Sequence, residues 1–108
     1  MRKIKAILKR TDEPHGHVVW ISDTLENLQK HVGGNIEVYD IGGGAVIICN
    51  EEGKLLGMPK NFVVGTGLIK ESIVGDVIIA GTEGDEFADC PFSMKMWKRF
   101  MRQWGNMI

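Results

Sequence analysis

The sequence predicts an α+β fold: a five- or six-stranded, mainly antiparallel sheet with two helices, at about 23–32 and 93–104, on one face. Three observations carry this expectation. Short apolar segments of strand length alternate with Gly-, Asn- and Asp-rich turns. Only two windows place apolar residues at helical spacing. The chain has 108 residues, 44% of them hydrophobic and 25% charged, which suits a single domain with one modest core rather than a disordered chain.

Residues 3–9 alternate, with Ile4, Ala6 and Leu8 on one face and Lys3, Lys5 and Lys9 on the other, as in a half-exposed strand. Ile7 is the one apolar residue on the charged face. The turn formers of 11–16 lead to a second β-rich segment, His17-Val18-Val19-Trp20-Ile21, so a hairpin is expected. Ser22-Asp23-Thr24 supplies helix-capping oxygens ahead of Leu25, Leu28 and Val32, and Gly33-Gly34 ends that helix. Residues 35–41 alternate, three glycines turn the chain, and Ala45–Cys49 returns as an apolar strand. Asn50–Gly53 reads as a turn, with Gly53 suited to a positive φ, and Lys54-Leu55-Leu56 as a short third strand of this meander. From Gly57 to Gly75 the glycines and Pro59 predict irregular backbone or a short helical turn packed across the sheet. Asp76–Thr82 reads as a buried strand and Glu83–Glu86 as its exit turn. In the last element Met94, Trp97, Met101 and Trp104, widened by Phe100, form the apolar stripe of an amphipathic helix whose polar face is basic.

The net charge of −1 hides a segregation. Five basic residues lie in 1–10 and four in 95–102, while residues 11–94 hold four basic and all 14 acidic residues, a net of −10. No apolar run is long enough to span a membrane, and the N-terminus has the charged alternation of a strand rather than a signal peptide, so a cytoplasmic protein without membrane contact is expected. Cys49 and Cys90 are too few for a disulfide framework and read as small buried residues.

Candidate chemistry is sparse. Gly42-Gly43-Gly44 precedes a strand rather than a helix, so it is a hairpin turn and not a phosphate loop; Gly65-Thr66-Gly67 lacks the Gly-Lys-Ser/Thr ending. His15 and His17 have no third ligand at zinc spacing, and Glu83, Asp85, Glu86 and Asp89 lack the pattern of a calcium loop. No nucleophile elbow occurs. No metal, cofactor or catalytic group is therefore expected. The last helix is the sharpest feature: Trp97, Trp104, Lys98, Arg99 and Arg102 suit a partner surface or an anion-binding face, against the alternative of core aromatics and solvated cations.

Several segments together carry a family likeness. They are Thr24-Leu25-Glu26-Asn27-Leu28-Gln29, Val32-Gly33-Gly34-x-Ile36-Glu37, Cys49-Asn50-Glu51-Glu52-Gly53-Lys54-Leu55-x-Gly57-Met58-Pro59-x-Asn61 and Ile79-Ala80-Gly81-Thr82. On these, the block from 22 to about 82 resembles the domain of unknown function DUF3846. The resemblance implies a phage or mobile-element setting and brings no catalytic residues. It directs attention to Asn50, Glu51, Glu52, Lys54, Pro59 and Asn61, although Gly53, Gly57 and Pro59 are also what a turn and a chain reversal require. The expected function is a non-catalytic accessory protein that binds a host protein or a small anionic, nucleotide-like signal, with blunting of a defence system as its use. The alternative is a nucleic-acid-binding regulator using Arg2, Lys3, Lys5, Lys95, Lys98, Arg99 and Arg102, which requires both basic ends to converge against the repulsion of the acidic body. A hydrolase acting on a nucleotide signal is a third reading. Open antiparallel edges are expected to favour self-association.

Overall fold

The computed structural model describes residues 2–106, apart from the side chain of Thr66. The order is β1 (Lys3–Lys9), β2 (His17–Ser22), α1 (Leu25–Val32), β3 (Ile36–Gly42), β4 (Ala45–Asn50), β5 (Lys60–Thr66), β6 (Ile69–Val74), β7 (Val77–Glu83), β8 (Glu86–Ala88) and α2 (Met94–Gln103). Six strands form one sheet in the order β2-β1-β7-β4-β3, with β8 also on β7, and every pairing is antiparallel. The α+β expectation and its strand number hold.

The apolar run of β7 takes the middle because Val77, Ile78, Ile79 and Ala80 all need cover on both faces, and all four are buried. Ile7 and Ile47 lie across from Ile79 on either side. At the far end of β7, β8 and the segment after it wedge in beside β1, and Cys90 N–H donates to the Lys5 carbonyl at 2.7 Å. A side chain at Gly81 would collide with the Asp89 carbonyl, so this close approach demands glycine.

The two helices cover opposite faces, not one. Leu28 and Val32 of α1 pack on Ile4, Ala6, Leu8, Ile21, Val46, Ile48, Ile78 and Ala80. Trp97 and Met101 of α2 pack on Ile7, Ala45, Ile47, Val77 and Ile79, together with Phe62, Val64 and Ile73. The last three come from β5 and β6, which pair as a separate two-stranded sheet. The stretch from Gly57 to Gly75 is therefore mostly a hairpin, not irregular backbone. Its apolar residues alternate, as Phe62 and Val64 do, but the glycines mask the period. With both faces covered, β1 is buried from Ile4 to Lys9 except at Lys5, rather than half-exposed.

Lys54–Leu56 does not return as a strand. Residues 51–57 coil into successive turns, with Leu56 N–H donating to Glu52 O at 2.9 Å and Met58 N–H to Gly53 O at 3.0 Å. Gly53 has no positive φ there; it is needed because an added Cβ would stand 2.8 Å from Val74 Cγ2. The cap of α1 is as expected: Thr24 accepts from Asn27 N–H at 3.3 Å, and Gly33 closes the helix at φ 80°.

Candidate functional site

The candidate site is the outward face of α2, and the inward face of the helix fixes it. Ser93 Oγ caps the helix by accepting from Met96 N–H at 3.2 Å. Trp97 is fully buried; its indole N–H donates to the His15 carbonyl at 2.9 Å and its ring meets Phe62 edge-on at 5.5 Å. This locks the rotation of the helix and turns Lys95, Arg99 and Arg102 fully outward, with Lys98 half-buried on the flank. Trp97, singled out above as a partner-facing aromatic, is thus core. Trp104 remains half-exposed, stacked on Phe100 at 6.2 Å and 20°, and the two rings line a 130 Å³ apolar cleft with Ile41, Gly42, Gly43 and Phe92.

No carboxylate lies within ion-pair distance of Lys95, Lys98, Arg99 or Arg102 among the described residues, whose ion pairs lie elsewhere. Their field reaches the β1–β2 turn. Partial burial pushes the His15 pKa below its ordinary value, and Lys98, Lys9 and Arg102 push the same way.

Lys9 is the hidden member of this group. It is 2% exposed, and its ammonium donates to the carbonyls of Arg10 and Glu13 and, at 2.6 Å, to Asn61 Oδ1. Burial lowers its pKa, against the pull of the Glu13, Asp12 and Asp76 carboxylates. Beside it opens a 510 Å³ cleft lined by Asp12, Lys60, Met101 and Asn106 among others. The basic ends therefore meet only in part. At the other end of β1, Arg2 pairs with Asp23 (3.3 Å) and Glu86 (3.5 Å).

The loop residues divide. Asn50 is buried, donates to Val32 O at 3.2 Å and accepts from Glu52 N–H at 2.8 Å, tying the turn to the end of α1. Asn61 donates to Lys9 O at 3.0 Å and Gly75 O at 2.8 Å, and Pro59 O accepts from Gly75 N–H at 2.8 Å. These are bonds of assembly. Glu51 and Glu52 face solvent, and Lys54 pairs with Glu71 over a 190 Å³ cleft whose wall includes Tyr39 and Cys49. Burial raises the Cys49 thiol pKa to about 11.

Asn106 is a working residue that the sequence reading passes over. Its Oδ1 accepts from Val63 N–H and its Nδ2 donates to Val63 O, both at 2.9 Å, and Nδ2 also donates to Met101 O at 3.0 Å. It stands in for a strand along β5 and fastens the end of α2 to that hairpin. The Gly105-Asn106 pair after a helix is the one signal for it, glycine giving the left-handed turn that aims the next side chain back.

No group of three His, Cys, Asp or Glu side chains stands together as a metal site among the described residues, and none of their helices is long and apolar enough to cross a membrane. No curated protein and no solved structure matches the chain. A family model does match, over residues 4–105, and the chain belongs to the family described as Domain of unknown function (DUF3846).

Proposed function

We propose that this protein is a non-catalytic binding module that engages an acidic partner, a host protein surface or a small anionic, nucleotide-like signal, through the outward face of α2. One observation carries the reading: four cations on one short helix have no carboxylate within ion-pair distance among the described residues, although the rest of the chain is rich in acid. Lys98, Arg99 and Arg102 are the contact residues, with Trp104 at the rim. The phage or mobile-element setting, the bacterial cytoplasm and a use against host defence rest on the family resemblance.

Nucleic acid is the second reading. It is favoured by the convergence of Lys98 and Arg102 with the Lys9 end of β1, and weakened because Arg2 is already paired with acids at the strand's other end.

Native mass spectrometry of protein purified from host lysate, followed by the triple variant Lys98→Glu, Arg99→Glu, Arg102→Glu, tests both. Retention of a protein or nucleotide by the wild type and its loss in the variant, with far-UV circular dichroism unchanged, supports the proposal. Retention that survives charge reversal refutes it.

A further inference from the structure

The six-stranded sheet ends in two edge strands, β2 and β3. They are built differently. β3 carries Glu37 and Asp40 and shifts register between Asp40 and Gly42, the features that discourage a further strand. β2 reads His17-Val18-Val19-Trp20-Ile21-Ser22, with no Lys, Arg, Asp, Glu or Pro and a regular register against β1. Its outer N–H and C=O groups face no strand among the described elements.

This edge also exposes apolar side chains. Val18 lies opposite Ile7 and Trp20 opposite Lys5, so both stand on the α2 side of the sheet, 39% and 61% exposed. A tryptophan that open to water on a strand without guarding charge is unexplained by anything in the monomer.

We infer that β2 is a homodimer edge: two copies pair antiparallel along β2 about a two-fold axis through Val19, joining their sheets into one. Two features select a second copy over another occupant. An antiparallel strand pair is two-fold symmetric, so one sequence serves both sides. With Val19 on the axis, Val18 of each copy sits opposite Trp20 of the other, and two aromatic–β-branched pairs form on the α2 face.

Sedimentation velocity of the full chain from micromolar to millimolar concentration tests this. The wild type is expected to form a concentration-dependent dimer. Trp20→Lys, which places like charges along the edge, is expected to weaken that dimer by about tenfold or more with unchanged circular dichroism. Val18→Lys, on the same edge and face, repeats the test should Trp20→Lys fold poorly. Val38→Lys on β3 is expected to leave association unaltered. A wild type that stays monomeric throughout overturns the inference, as does a dimer indifferent to both β2 variants. Neither result bears on α2, whose partner is read in a separate assay.

Discussion

A few side chains hold the site, and each has a measurable signature. Trp97 joins the burial of a large ring to one hydrogen bond on the β1–β2 turn, so Trp97→Ala is expected to cost about 3–5 kcal/mol, read by chemical denaturation. His15 reports on the cations of α2. Its folded pKa lies below 6.5, so the unfolded chain takes up the proton first, and stability is lost as pH falls from 6.5 through the folded value. Lys98→Glu is expected to raise that pKa, followed by NMR titration; an unmoved His15 would mean that burial, not the charge of Lys98, holds it down. Cys49, with a thiol pKa of about 11, is expected to react slowly with iodoacetamide at pH 8, at well under a hundredth of the rate of a fully ionised thiolate. The burial of Lys9 is not evident from its type, because lysine on a period-2 face reads as solvent-facing. Ile7 on that same face was the clue: an apolar residue there implies cover, and the cover is α2 with the β5–β6 hairpin.

At the level of elements, legibility followed local signal. α1, α2, β1, β2, β3, β4 and β7 are readable because their periodicity and caps lie within the segment. The β5–β6 hairpin is obscured by glycines, and β8 by a density of charge that resembles a turn; both are defined by partners distant in sequence. The face assignment of the helices is invisible for the same reason, since β1, β4 and β7 are apolar on both faces and either face can take a helix. The hairpin is held to β1 through Asn61, whose side chain joins Lys9, the Lys9 carbonyl and Gly75. Asn61→Ala leaves a buried ammonium and two carbonyls short of partners, so a loss of about 3 kcal/mol is expected, with the β5–β6 amides losing hydrogen-exchange protection first. Uniform loss across the sheet would show that the hairpin and sheet unfold as one unit.

Across the whole molecule, the segregation of charge becomes spatial. The acidic body pairs Asp23 with Arg2 of the N-terminal end and Glu71 with its own Lys54, and among the described residues no carboxylate pairs with the cations of α2. The two basic ends noticed in the sequence meet at the Lys9–His15 corner and part at Arg2, a division set by the direction of β1. Exposed charges of this kind act within a Debye length of about 8 Å at physiological salt, so binding through them must weaken as salt rises. The most direct test is the salt dependence of the partner retained by the wild-type chain, measured beside the Lys98→Glu, Arg99→Glu, Arg102→Glu variant. The account predicts affinity that falls steeply with salt in the wild type and is absent in a variant of equal thermal stability. Affinity that ignores salt and persists in the variant would contradict it.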